Sequence, residues 1–338
     1  MITVLWIQLV GAALVIFVAS NFLAKSADVI SLKTGLGRAF VGVVLLATAT
    51  SLPELATGIS AITVVNEPDL ALGDAFGSNL FNLLIIGLLD IYWREGPILR
   101  SIGSASILVG VLGIVVISFA GTAVIMHGLV STFENWYVSP MSVVLFGLFL
   151  VSMYMIYRNE RNVSKDTVEL TEHQKYVSAS IGRAVVTYIV AALLVVGAGI
   201  WLAILGDHIA DEMGWQASFV GTQFLALSTS LPELATSFSA IRLRAPELAI
   251  TNLLGSNLFN MGFVLFADDL VYQNGVVWAH VSWIHGVTAL IAVLMTSVVI
   301  VSLVYYMRNE SGKSWKITVA PVLIGCYVLA SLLAFYMG

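Results

Sequence analysis

Long apolar stretches alternate along this chain with short polar ones. A helix needs about 20 apolar residues to cross a hydrocarbon core. On that measure the pattern predicts ten spans, near 4–23, 39–65, 70–92, 102–125, 137–157, 185–205, 218–241, 247–267, 281–306 and 315–336. Each should be helical, because lipid cannot satisfy an open backbone. The first stretch, Met1 to Leu23, lacks a basic leader and is long enough to span, so it reads as a membrane helix rather than a cleaved signal peptide.

The polar positions then orient the spans. Lys25, Lys33 and Arg38 fall between spans 1 and 2, and Arg94 and Arg100 between 3 and 4. Arg158, Arg161, Lys165, Lys175 and Arg183 fall between 5 and 6, Arg242 and Arg244 between 7 and 8, and Arg308, Lys313 and Lys316 between 9 and 10. All 15 basic residues thus lie on one side. The opposite loops carry Glu67, Asp69, Glu134, Asp207, Asp211, Glu212, Asp268 and Asp269, the last two expected to face outside solvent. The basic side is expected to be cytoplasmic, giving a multi-pass inner-membrane protein with both termini outside.

Composition agrees: 59% of residues are hydrophobic and 10% charged, where globular chains carry roughly 25% charged. The single cysteine, Cys326, excludes an intrachain disulfide, and no Cys/His cluster offers a zinc or iron–sulfur site. The chain reads as a non-enzyme with no resident cofactor and no nucleic-acid partner.

Within the apolar stretches two strings occur twice. Thr-Ser-Leu-Pro-Glu-Leu-Ala-Thr runs Thr50 to Thr57 and Thr229 to Thr236; Gly-Ser-Asn-Leu-Phe-Asn runs Gly77 to Asn82 and Gly255 to Asn260. Five spans separate the copies, an odd number, so the second half should be inserted upside down. The expected architecture is all-α: ten transmembrane helices in two inverted five-helix repeats, residues 1–157 and 183–338, joined by a cytoplasmic linker over 158–182. Inverted repeats of this kind build one central site near the midplane and expose it alternately to the two faces.

The strings place Glu54 and Glu233 at membrane depth, where a carboxylate marks a functional site by default. Pro53 and Pro232 each remove a backbone donor and free a carbonyl one turn earlier. Ala47, Ala49, Thr50 and Ser51, and in the second copy Ala226, Ser228, Thr229 and Ser230, add carbonyl and hydroxyl oxygens just upstream. Hard cations such as Na+ and Ca2+ take such oxygen sets. Asp74, Ser78 and Asn82 share one helix face at i, i+4, i+8, and Asn252, Ser256 and Asn260 repeat the stripe. Gly77 and Gly255 should let the two motif helices approach closely. Asp74 is either a third carboxylate of the site or a solvated acid lining its entrance. With every Lys and Arg assigned to a helix end, two close carboxylates cannot both stay ionised without a cation. The core should therefore hold protons, metal ions, or both in turn, which is the basis of exchange.

At these residues the chain resembles the cation/Ca2+ exchanger superfamily, in particular its prokaryotic Na+/Ca2+ exchangers, over essentially its whole length. The resemblance implies four cation sites in a diamond. Glu54 and Glu233 would be the carboxylates shared by Ca2+ and Na+, Thr50 and Thr229 carbonyl and hydroxyl ligands, and Ala47 and Ala226 carbonyl ligands. Ser51, Ser78, Ser230 and Ser256 would support the Na+ sites, with Asn82 and Asn260 flanking the centre. It further implies that spans 1 and 6 slide to switch access. The transported ions would be Ca2+ and Na+, with H+- or K+-coupled exchange of Ca2+ or another divalent cation as the alternative, and no oligomer is required. The chain departs from the family pattern at Ala49 and Ser228, where glycine is common, at Asn260, where some members carry Asp, and at Asp74, where Asn is usual.

Overall fold

The computed structural model describes residues 2–34, 47–103, 105–129, 136–163, 180–242, 244–308 and 318–337, and among these every regular element is helical. In chain order they are α1 (Ile2–Thr34), α2 (Ala47–Ser60, continued by a π-helical turn Ala61–Val65), α3 (Pro68–Tyr92), α4 (Ala105–Leu129) and α5 (Pro140–Val163). The second half gives α6 (Ile181–Met213), α7 (Ala217–Val220, a π-turn Gly221–Leu225, then Ala226–Thr229) and α8 (Leu231–Arg242). It closes with α9 (Pro246–Phe259, a π-turn Asn260–Val264, then Leu265–Val271), α10 (Ile284–Arg308) and α11 (Ala320–Met337). Among the described residues eight helices are long and apolar enough to cross a membrane, and Ala49–Val65 is a shorter apolar helix. The expected span near 39–65 begins outside the described residues. The one near 218–241 is divided at Ser230, whose backbone leaves the helical region at φ −87°, ψ 8°.

The helices differ in depth. In α3, 89% of the apolar stretch is buried, against 28% in α1 and 22% in α11. The central helix is therefore α3, and α1 and α11 are peripheral. It starts as its sequence directs, with Pro68 in the first turn and Asp69 beside the positive helix end. α9 starts the same way with Pro246 and Glu247. A left-handed residue precedes each start, Asn66 at φ 64° and Arg244 at φ 58°. The turns close alike, Glu67 N donating to Ala61 O at 2.9 Å and Ala245 N to Ala240 O at 2.9 Å.

The π-turns explain a slip in the spacing of the repeated strings. Thr50 and Thr229 lie 179 residues apart, but Asn66 and Arg244, and Gly77 and Gly255, lie 178 apart. The first copy holds one more residue, and it carries the π-turn Ala61–Val65. Beyond Asn260 the spacing returns to 179 at Asp90 and Asp269, and the second copy carries the π-turn Asn260–Val264. A π-turn houses one extra residue without breaking the helix.

Contacts join loops at each end of the helices. Arg244 pairs with Glu95 at 3.0 Å, bringing together two loops rich in basic residues. On the acidic side Asn274 donates to Asn66 at 3.4 Å, and Asp69 accepts from Ser282 N at 2.7 Å and contacts His285 Nε2 at 2.9 Å. Asp268 and Asp269 do not face solvent: both are fully buried. Asp269 accepts from Ser139 N (2.7 Å), Ser142 Oγ (2.6 Å) and Val277 N (2.8 Å). Asp90 does the same for Ile98 N (2.9 Å), Val319 N (3.0 Å) and the Thr318 hydroxyl (2.5 Å). Each aspartate thus pins the loop that follows its own helix and the start of a helix in the other half.

Candidate cation site

The site forms where α2, α3, α7, α8 and α9 converge. Glu54 lies two turns into α2 and Glu233 in the first turn of α8. The first copy of the proline string runs as continuous helix through Pro53, whereas the second breaks at Ser230, which puts Pro232 near a fresh helix start. Proline has no N–H, so the carbonyls four residues earlier, at Ala49 and Ser228, lose their helical donor. The Ala226 carbonyl already accepts from Ser230 N at 3.0 Å and from the Thr229 hydroxyl at 3.3 Å.

The two halves meet through hydroxyls. Ser230 donates to Glu54 Oε1 at 3.1 Å and Ser256 to Glu233 Oε1 at 3.3 Å. Ser78 lies against Glu54 and Thr50 against Glu233. Thr50 and Ser256 hydroxyls are 3.5 Å apart, Ser78 and Thr229 hydroxyls 3.3 Å. Thr229 also donates to Asp74 Oδ1 at 2.8 Å. That contact, with 1% exposure, places Asp74 in the same cluster and corrects the reading of it as a solvated entrance acid. The charge of Glu54 is felt at both Glu233 and Asp74, so three carboxyls form one electrostatic unit.

Glu54, Glu233, Thr50, Thr229, Ser51, Ser230, Ser78, Ser256, Asn82, Asn260 and Ala226 are all fully buried. The Ala47 side chain lies outside the described residues. Among the described residues no Lys or Arg is buried, and no three His, Cys, Asp or Glu side chains form a metal-holding group. One oxygen of each carboxyl, Glu54 Oε2, Glu233 Oε2 and Asp74 Oδ2, has no partner, nor do Ser51 Oγ, Asn82 Oδ1 or the Asn260 amide. Buried polar atoms are normally satisfied, and an unpaired buried carboxylate costs several kcal/mol. A cation ringed by carboxylate, hydroxyl, amide and backbone oxygens would satisfy this acceptor-rich set.

The Asn257 amide and the Asn79 backbone carbonyl, neither among the expected site residues, hold the helix crossing. Asn82 Nδ2 donates to Asn257 Oδ1 at 2.9 Å, and Asn257 Nδ2 donates to the Asn79 carbonyl at 3.2 Å. Both belong to the repeated Gly-Ser-Asn string, so the repeat itself was the signal. Asn252, by contrast, reaches Thr236, at 3.5 Å. The glycines are unequal. A Cβ on Gly77 would lie 2.6 Å from Thr222 Cα and 2.8 Å from Ala226 Cβ, and one on Gly73 2.9 Å from the Ser218 carbonyl, so α3 crosses α7 backbone to backbone. A Cβ on Gly255 would meet nothing within 4 Å, and the expected close approach is absent there. Asp268 is a further acid the sequence reading misplaced. Both its oxygens lack partners and lie 2.7 and 2.9 Å from where a Gly58 Cβ would be, one turn along α2 from Glu54.

At the acidic end, burial raises the Glu67 carboxyl above its ordinary 4.5, and the charges of Asp207, Asp69 and Asp211 add to it. The folded protein then holds this proton more tightly than the unfolded chain does, so Glu67 costs stability as pH rises above about 4.5. Glu67→Gln should melt higher than the parent at neutral pH, with the difference gone near pH 4. A difference independent of pH would remove the electrostatic cause.

The family model described as "Sodium/calcium exchanger protein" matches residues 4–157 and 183–336. Among curated relatives, the sodium/calcium exchanger MaX1 of Methanosarcina acetivorans is 24% identical over 371 aligned positions, covering 100% of both chains. The inner membrane protein YrbG of Escherichia coli is 25% identical over 280 positions, 78% of each chain. The sodium–calcium exchanger NCX_Mj, solved after soaking with Na+ and Sr2+, superimposes with a TM-score of 0.61 at 19% identity over 98% of both chains. Native YfkE superimposes with a TM-score of 0.61 at 16% identity, covering 97% of this chain and 92% of that one.

Proposed function

Since the chain belongs to the sodium/calcium exchanger family, we propose that this cation/Ca2+ antiporter exchanges Na+ for Ca2+ by alternating access around Glu54 and Glu233. The observation that carries the reading is the cross-half carboxyl cluster. Each glutamate is held through one oxygen by a hydroxyl, keeps the other oxygen unpartnered, and has no buried Lys or Arg among the described residues. Such a pair is stable with a cation and poorly stable empty. Competing cargoes therefore occupy it in turn.

In this reading Thr50, Thr229, Ser51, Ser230, Ser78, Ser256, Asn82 and Asn260, with the carbonyls of Ala47 and Ala226, complete the oxygen shells, and Asp74 is the third carboxylate. Residues 1–157 and 183–338 are two inverted five-helix repeats joined over 158–182. The ten spans leave both termini outside, and the basic loops face the cytoplasm. The loop pairing of Arg244 with Glu95, and of Asn274 with Asn66, supports that division.

Radiolabelled Ca2+ uptake into proteoliposomes loaded with Na+, or with K+, or carrying only a pH gradient, tests the coupling ion. Uptake that requires internal Na+ is the expected result; uptake driven by the pH gradient alone would overturn Na+ coupling and leave the cluster as an H+/Ca2+ site. Asp74→Asn removes one charge and keeps an acceptor for Thr229. It should change the pH dependence or ion stoichiometry of transport and leave expression intact. Transport unchanged across pH would exclude Asp74 from the site.

A further inference from the structure

Outside the cation site, α1 and α6 lie side by side along a seam. An apolar groove of about 700 Å³ runs along it, walled by Leu14, Val18 and Phe22 of α1 and Val186, Val190 and Leu194 of α6. Its one polar wall residue, Thr187, spends its hydroxyl on the Arg183 carbonyl at 2.8 Å, so the wall is apolar in effect. At one end the groove shares Phe22 and Thr187 with an adjoining hollow of about 280 Å³ lined also by Lys25, Arg183, Ser26 and Ser180. The apolar stretch of α1 ends at Ser26, and α6 begins at Ile181. The basic hollow thus sits at the rim of the spans and the apolar groove below it. Neither Lys25 nor Arg183 forms an ion pair with a described residue.

We propose that this groove with its adjoining hollow is a binding site for one anionic phospholipid, its phosphate between Lys25 and Arg183 and an acyl chain along the α1–α6 seam. Length supports a lipid. From Lys25 to Leu14 is eleven residues, roughly 16 Å of helix, about half of a ~30 Å hydrocarbon core and so the depth of one leaflet. Charge selects the headgroup. Two cations with no acid among the described residues of the hollow's wall favour a net negative headgroup, whereas a zwitterionic one would bring its own cation against them. Basic pockets between membrane helices on one face bind acidic headgroups in this way. The same phosphate chemistry could come from free phosphate, but phosphate would leave the apolar groove unfilled.

The test is native mass spectrometry of the purified full chain from micelles doped with equal phosphatidylglycerol and phosphatidylcholine. One retained phosphatidylglycerol per chain, favoured over phosphatidylcholine, is expected. In Lys25→Gln/Arg183→Gln the preference should fall about thirty-fold, the worth of two basic residues at an anionic surface. Val190→Trp, at an exposed groove position, should reduce retention of the lipid without touching the charges. Thermal shifts complete the test: phosphatidylglycerol should raise the melting temperature of the parent, and inorganic phosphate should not. Equal retention of the two lipids, no change in the double variant, or the same shift from phosphate alone would each overturn the proposal. Because binding is read without transport, the outcome does not depend on the exchange reading.

Discussion

Glu54→Gln should reduce cation-driven Ca2+ flux to background while the protein remains folded and monodisperse. The amide keeps the shape of the side chain and an oxygen for the Ser230 hydroxyl, so the cross-half contact survives. What disappears is one negative charge beside the cargo. A unit pair at 4 Å contributes about 4 kcal/mol near a protein surface, so even a single charge is worth roughly a thousand-fold in affinity. Glu233→Gln should do the same, since Ser256 and Thr50 attend it as Ser230 and Ser78 attend Glu54. The sign of the stability change separates this account from a structural role. In ion-free buffer either variant should melt no lower than the parent, because a buried charge without a partner has been removed. Near-normal flux in either variant would exclude the cluster as the transport site, and a collapsed fold would make the glutamates structural.

The second large effect is steric. Gly77→Val should yield no stable protein, because its Cβ would meet the backbone of Thr222, not the flexible end of a side chain. Overpacking costs about 1–3 kcal/mol where neighbours can shift; a backbone crossing between α3 and α7 cannot shift without opening the site. Gly255→Ala is the control. Its added methyl meets open space, and replacing a helical glycine should stabilise by roughly 0.5–1 kcal/mol. Size-exclusion profiles and melting curves of the two variants decide it, and equal behaviour would refute the asymmetric crossing.

That asymmetry marks where the sequence stops informing. Gly77 and Gly255 occupy the same place in identical strings, and nothing local tells which helix crosses close. The same holds for the prolines: both copies read alike, yet α2 is continuous through Pro53 while Ser230 leaves the helix. Apolar patterning carried the helices, because membrane crossing depends on length and hydropathy alone. Repetition carried the carboxyl pair and its hydroxyls. Asp268 and Asp269 were assigned to solvent because two acids at a helix end usually are. Asp269 is held by Val277 of the following loop and by Ser139 and Ser142 from 130 and 127 residues away, and Asp268 is buried beside Gly58 of α2, contacts no local pattern announces. Asn257 and Asn79 were legible in principle, standing inside the repeated string, but their role is a contact between the two copies.

The paired aspartates set a condition on assembly. Asp90, in the first half, holds the start of α11 through Thr318 and Val319, which are 228 and 229 residues away. Asp269, in the second half, holds the start of α5 through Ser139, 130 residues away. Each half therefore seats its last helix on the other, as two hands clasp wrists. A ribosome releasing this chain from the amino end cannot complete the first half until α9 has been made, and the final clasp waits for α11. Such non-local closure is slow. Until it forms, the buried acids of both halves have only water, lipid headgroups or insertion machinery to shield them, so the vulnerable species in biogenesis is a half-made chain.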